Sequence, residues 1–231
     1  MNGRTHAAIG AGSMLTVPVL GASPAQSLVL MGIAAGAALG PDIDHPGATA
    51  SRAYPKAVHL AAHGISGFIL RITSSGSDLN RSGYLSRNGR DPVHRTFTHT
   101  AVSAALVGGG TWWLSSVWYL GTMAVMVISA WACVRLFRHL WPLWVTMCIL
   151  SAMFPIDPRL VAYAVTVGWL SHILADACNP MGVPLLWPVR IRRKHWYSVR
   201  ILGNRMKSGS PVEWFPASVL TAVLNLPLVF I

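Results

Sequence analysis

Charge is scarce in these 231 residues, and negative charge scarcest: seven Asp and Glu stand against eighteen Lys and Arg, and charged residues are only 11% of the chain. Soluble domains carry roughly a quarter, so an ordinary soluble domain is a poor fit. A hydrophobic content of 53% argues against disorder. The lack of any short repeat excludes collagen-like and low-complexity chains. Only three cysteines occur, Cys133, Cys148 and Cys178, widely spaced and without a CxxC pair, which speaks against a disulfide frame or a thiolate zinc site. GxSxG, Walker A and dinucleotide fingerprints are missing too.

What is present is apolar sequence in blocks, at about 7–22, 26–40, 100–114, 116–134, 139–154, 160–178 and 216–231. The pattern predicts an all-α, polytopic transmembrane helical bundle of about seven spans, or six if the long run from Ala101 is one helix, forming one domain over 1–231. Gly108-Gly109-Gly110 and Ser115-Ser116 divide the long run from Ala101 to Val134 into two helices. The basic N-terminus and Gly21-Ala22-Ser23 superficially imitate a signal peptide, but a second apolar run follows at once and reads as the other arm of a retained hairpin. With the N-terminus inside and seven crossings, seventeen of the eighteen Lys and Arg fall on the cytoplasmic side and only Arg159 outside. That is the asymmetry the positive-inside rule expects.

Two polar stretches, 51–93 and 186–213, then share the cytoplasmic face. The first contains a short amphipathic helix from about Pro55 to Ile72, suited to lie at the interface beside anionic headgroups. The second includes RIRRKHWYSVRILGNRMK over 190–207, with seven Lys or Arg. An anchoring loop at the lipid surface is favoured over nucleic-acid binding, for which no motif competes. Trp112, Trp113, Trp118, Trp141, Trp144 and Trp187 lie near span ends and read as belt anchors, and His139 and His195 as interfacial.

The chemistry is carried by the few carboxylates. A carboxylate at a span end is costly unless it pairs or binds a cation. Gly40-Pro41-Asp42-Ile43-Asp44-His45-Pro46 puts two carboxylates and an imidazole where a proline stops a helix. His94-Arg95-Thr96-Phe97-Thr98-His99-Thr100 brings two more imidazoles, and Ser171-His172-Ile173-Leu174-Ala175-Asp176 places His and Asp four apart on one helical face. His6 arrives at the same level. Four segments converging on one interface point to a metal site built from His6, Asp42, Asp44, His45, His94, His99, His172 and Asp176. Mixed imidazole and carboxylate ligands suit one or two divalent ions, Zn, Mn, Mg or Fe. Two ions bridged by a carboxylate such as Asp44, sharing a hydroxide as nucleophile, would do hydrolytic chemistry. His59-Leu60-Ala61-Ala62-His63 has zincin spacing but no glutamate after the first histidine, so a metalloprotease reading fails.

These motifs, with Asn179-Pro180-Met181-Gly182-Val183-Pro184-Leu185-Leu186-Trp187-Pro188 following the third, resemble the YdjM-type family of bacterial inner-membrane, metal-dependent hydrolases. The resemblance runs from His6 to Glu213 and implies a polytopic helical protein, metal-site roles for the eight residues above, and a further member in Glu213. The chain departs from it at Thr96 and Thr100, where Gly and Ser are frequent, and at Asn179, where Thr before the proline is frequent. The expected activity is hydrolysis of a phosphoester or ester in a lipid or lipid-linked substrate. Asp44, His99, Arg95 and Glu213 are the expected catalytic residues, with Arg95, Arg190 or Arg192 offsetting anionic charge. The alternative is a metal-binding membrane protein without catalysis, a transporter, sensor or scaffold.

Overall fold

The computed structural model describes residues 2–76, 78, 92–118, 120–202 and 214–229. Nine α-helices occur among them: α1 (Gly3–Gly12), α2 (Pro24–Ala37), α3 (Thr49–Ala53), α4 (Lys56–Thr73), α5 (Ala101–Val117), α6 (Gly121–Leu136), α7 (Trp141–Met153), α8 (Pro158–Ala177) and α9 (Trp214–Val229). No strand is present among the described residues; two isolated antiparallel bridges, Val183 with Val199 and Ile191 with Lys194, tie the loop after α8. The fold is all-α, as the apolar blocks predict.

Local sequence sets the helix starts. Ser23 closes a capping box with Gln26, and Pro24 occupies the first turn, where its missing N–H costs nothing. Gln26 Nε2 also donates to Pro155 O at 2.7 Å, pinning α2 to the loop before α8. Asp157 caps α8 through Arg159 N, with Pro158 next to it, and Thr100 Oγ1 accepts from Ser103 N to start α5. Pro41 lacks a donor for continued α-helix, and after Ala37 the chain tightens into the 3-10 turn Gly40–Asp44.

Helix α2 is the hub, packing on α1, α6, α7 and α8, while α5 lies along α8. Leu30, Ile33, Ala34, Met126, Val161 and Ala164 are fully or nearly fully buried at its centre. Glycine permits the closest approaches: a Cβ on Gly10 of α1 or on Gly168 of α8 would lie 2.5 and 2.4 Å from Ala34 O. Two helices thus grip α2 at one carbonyl, which fixes the height of α8 relative to α1 and α2. Helix α9 closes the other side of α1, with Asn225 donating to Gly12 O and accepting from Thr16 N and Oγ1.

The division of 101–134 into two helices is observed, as is the helix expected from Pro55 to Ile72, now Lys56–Thr73. Helix α4 buries only Ser66 and leaves Leu60, Ile65, Phe68 and Ile72 more than half exposed. The span count is another matter. Pro24–Asp44 and Pro158–Ala177 are the two segments, among the described residues, long and apolar enough to cross a membrane. The first apolar run, expected as one span, is a ten-residue α1 followed by the 3-10 turn Val17–Leu20. Ten residues rise only ~15 Å, half of a ~30 Å hydrocarbon core, so helix length does not carry a count of seven.

In the basic loop, Arg190, Arg192 and Arg193 are exposed, but its tryptophan turns inward. Trp196 is fully buried, stacked on Trp187 at 5.3 Å and packed against Ile69 and Leu70 of α4, and its backbone N–H donates to the buried Asp78. Trp144 is buried too, whereas Trp112, Trp113, Trp118 and Trp141 are exposed.

The α1–α2–α8 grip predicts that Gly168→Val lowers the thermal unfolding midpoint of detergent-purified protein, by the equivalent of about 1–3 kcal/mol. Gly109→Ala, where an added Cβ meets nothing, should leave the midpoint unchanged or raise it slightly.

Candidate metal centre

Three backbone devices deliver the polar side chains. The tight turn Gly40–Asp44 sends Asp42 and Asp44 toward different partners, and Gly40 is needed because a Cβ there would stand 2.3 Å from the Trp169 ring. In the second motif Arg95 adopts a left-handed backbone, φ 61°, and a 3-10 turn over Phe97–His99 buries Thr98 and His99. Trp169 Nε1 and Ser103 Oγ both donate to Thr98 O, at 2.9 and 2.8 Å, and hold that turn in place. Helix α8 presents His172 and Asp176 from one face, one turn apart.

Four ligand atoms converge: Asp42 Oδ1, His99 Nε2, His172 Nε2 and Asp176 Oδ2, all within 4.8 Å of one another. His172 Nε2 is 3.4 Å from Asp42 Oδ1, 3.3 Å from His99 Nε2 and 3.8 Å from Asp176 Oδ2. His99 Nε2 is 3.6 Å from Asp42 Oδ1 and 3.7 Å from Asp176 Oδ2. Donors ~2.0–2.2 Å from a tetrahedral ion are ~3.3–3.6 Å apart. The spread of the five distances is that of a slightly open tetrahedron. Three of the four residues are buried, and Asp42, 29% exposed, is the open corner.

Hydrogen bonds on the far side of each ring aim the lone pairs inward. His172 Nδ1 lies 2.8 Å from Ala38 O, which can only accept, so Nδ1 carries a proton and Nε2 is the atom turned to the cluster. Thr98 Oγ1 donates to Asp44 Oδ2 at 2.8 Å and therefore accepts from His99 Nδ1 at 3.0 Å, which again frees Nε2. His94 Nδ1 donates to Asp44 Oδ1 at 2.9 Å, and its Nε2 is 3.8 Å from Asp42 Oδ1. Burial holds the His99 imidazole below its usual range, so at neutral pH it is in the uncharged form that binds metal. A divalent cation fits this donor set: two imidazoles and two carboxylates, spaced for one ion, each imidazole oriented from behind.

Asp44, His94 and His99 form a second group within 4.8 Å. Asp44 there takes the Nδ1 proton of His94 and the Thr98 hydroxyl, the position of a carboxylate that orients rings. His6 faces Asp176, Nε2 to Oδ1 at 3.5 Å, and stacks on His172 at 3.8 Å between centroids. His45 stands apart: its Nδ1 accepts from Gly47 N, and its ring lies 4.5 Å from that of His94. Arg95 Nη2 pairs with Asp176 Oδ2 at 2.8 Å, so its charge is directed at a carboxylate of the cluster. Arg192 lies over the Tyr197 ring. Glu213 lies outside the described residues. His59 Nδ1 bonds Ile43 O, a packing role on the turn.

Sequence reasoning missed Thr98, Asn179, whose Nδ2 donates to Asp176 Oδ1 at 2.8 Å, and Trp169. Thr98 and Asn179 carried a signal, as hydrogen-bonding residues beside His99 and three after Asp176. The long-range contacts of Trp169 and of the Ala38 carbonyl carried none.

Comparison with known proteins agrees with the motifs. The family model described as YdjM inner membrane protein matches residues 1–229. Inner membrane protein YdjM of Escherichia coli (strain K12) and its namesake in Shigella flexneri are each 51% identical over 41 residues, 18% of this chain and 21% of the relative. The alignment therefore spans about a fifth of those relatives' length. No solved structure matches the chain.

The geometry predicts that His172→Ala or Asp176→Ala removes co-purifying divalent metal, as read by elemental analysis of folded protein. Thr98→Val, which keeps all four donors but unseats the His99 tautomer, should weaken affinity roughly 10- to 100-fold in a chelator competition. Wild-type metal content in both alanine variants would contradict the assignment.

Proposed function

The chain belongs to the YdjM inner membrane protein family, and from that premise we propose that it is a multi-pass enzyme of the bacterial inner membrane, with a metal-dependent hydrolytic site facing the cytoplasm. The observation that carries the reading is the tetrahedral spacing of Asp42, His99, His172 and Asp176. Membrane burial is supported by two span-length segments and by large side chains left in contact with the surroundings, Leu106, Trp113, Val117, Trp131 and Met153 among them, each more than half exposed. Such a belt would be unfavourable in water. The sidedness is supported by the basic residues, seventeen of eighteen on one side in the seven-span arrangement.

We assign one ion rather than two, and zinc before iron, manganese or magnesium, since the spacings suit tetrahedral geometry and magnesium demands an octahedron of oxygens. When bound, the ion supplies Lewis acidity toward water and toward an ester oxygen. The protein's own groups do the rest. The rings of His99 and His172 are aimed by Thr98 and Ala38. Arg95, Asn179 and His6 hold Asp176, leaving the partly exposed Asp42 side as the approach for substrate and water. The substrate is a phosphoester or ester of a lipid or lipid-linked molecule. Water adds to phosphorus or to the acyl carbon, the bond to the leaving oxygen breaks, and the departing alcohol takes the proton.

The test is turnover by purified protein, loaded with Zn²⁺ or Mn²⁺, on phospholipids and polyprenyl phosphates. Product release should appear in wild type and fall by at least 10³-fold in Asp42→Ala and His99→Ala, in line with the loss of a metal or a principal electrostatic contributor. Metal bound at stoichiometry with no turnover of any lipid ester would contradict the hydrolase reading and leave a metal-binding scaffold.

A further inference from the structure

A cavity of about 520 Å³ lies between α2, α4, α5, α6 and α8, directly beside the turn that carries Asp42. It lies within the ~300–1,000 Å³ of ligand sites. Its wall contains no charged side chain. Of its three hydroxyl-bearing residues, Thr111 Oγ1 donates to Val107 O at 2.8 Å and Tyr54 donates to Ile128 O at 2.6 Å, and Ser129 is the third. With so few polar groups in an otherwise apolar wall, the cavity suits hydrocarbon better than a polar solute.

Its two ends differ. Gly40, Ile43 and Trp169 form the inner end; Gly40 and Ile43 flank Asp42 in one 3-10 turn, and the Trp169 indole holds the loop of His99. Val58 and Ile128, 40% and 54% exposed, stand at the outer wall among the exposed apolar side chains of α4 and α6. The cavity therefore runs from the outer apolar surface to the turn that carries Asp42, the one partly exposed ligand of the cluster. We propose that it is the acyl-chain subsite of the enzyme: one hydrocarbon chain of a membrane lipid lies in it, and its ester linkage is presented at the turn of Asp42. This rests on the hydrolase reading for what happens to the ester, but the chain site is a claim about binding and can be tested without turnover.

Gly110 makes that test clean. It lines the cavity, yet an added Cβ meets no atom within 4 Å, so a larger side chain can enter the space without displacing protein. Gly109, its neighbour, is equally open but is not part of the wall. Full-length protein reconstituted in phosphatidylglycerol and phosphatidylethanolamine vesicles doped with an ω-diazirine acyl phosphatidylglycerol is irradiated, and the adducts are mapped by mass spectrometry. Adducts are expected on cavity-wall residues in the segments 36–43, 107–114 and 125–129, competed by unlabelled phosphatidylglycerol. Gly110→Leu should cut them at least tenfold and Gly109→Leu should not. Labelling with a diazirine fatty acid that is equally strong and equally competed would show that the free acid is the occupant and overturn the lipid assignment. The metal-free variant His99→Ala should label like wild type, so loss of the hydrolase reading would not remove this result. Adducts confined to outward residues such as Leu106 and Trp131, indifferent to Gly110→Leu, would overturn the proposal.

Discussion

Three carboxylates, Asp42, Asp44 and Asp176, meet one guanidinium, Arg95, in a bundle otherwise lined by hydrocarbon. Carboxylates outnumber the guanidinium, and buried charge that lacks a partner is costly. A divalent cation between Asp42 and Asp176 would offset that excess. That balance is the constraint around which the rest is arranged: the turn that ends α2, the strained approach of Arg95, and the indole bond that fixes the His99 loop all serve to bring like charges within one ionic diameter. Asp44 finds its own compensation in His94 and Thr98 and in doing so orients two rings.

Rigidity of the frame follows from small residues. The cluster joins side chains from α1, the turn after α2, the loop before α5 and helix α8, and a shift of one element by an ångström would open the tetrahedron. Glycine contacts at Ala34 lock α1 and α8 onto α2 by backbone approach rather than by flexible side chains. Position 40 extends the same logic to the site, since Trp169 occupies the space a side chain would need. Ligand and scaffold are therefore coupled through α8, which carries Gly168, Trp169, His172 and Asp176 in successive turns.

Much of this was legible in the residues themselves. Helix class follows from the length of the apolar blocks, and the break between α5 and α6 from the glycines and serines that interrupt one of them. His99, His172, Asp42 and Asp176 stood out because ionisable groups beside apolar spans need a reason to be there. Their division of labour was not legible. Asp42 and Asp44 look alike two positions apart, and only the 3-10 geometry sends one to the ion's position and the other behind the histidines. Arg95 read as an anion binder because its partner, Asp176, is distant in sequence. Trp144 read as a belt anchor because it lies near a span end, whereas it packs into the core of the bundle. Span number stayed open because α1 is cut short by the turn at Gly12 to Thr16, which hydropathy alone does not register.

X-ray absorption at the metal edge of the purified, zinc-loaded protein addresses the central claim most directly. The account predicts a single four-coordinate ion with two imidazole nitrogens and carboxylate oxygens at ~2.0–2.2 Å, and loss of half the imidazole scattering in His172→Ala. A six-coordinate, all-oxygen shell, or a spectrum unaltered by that substitution, would contradict it.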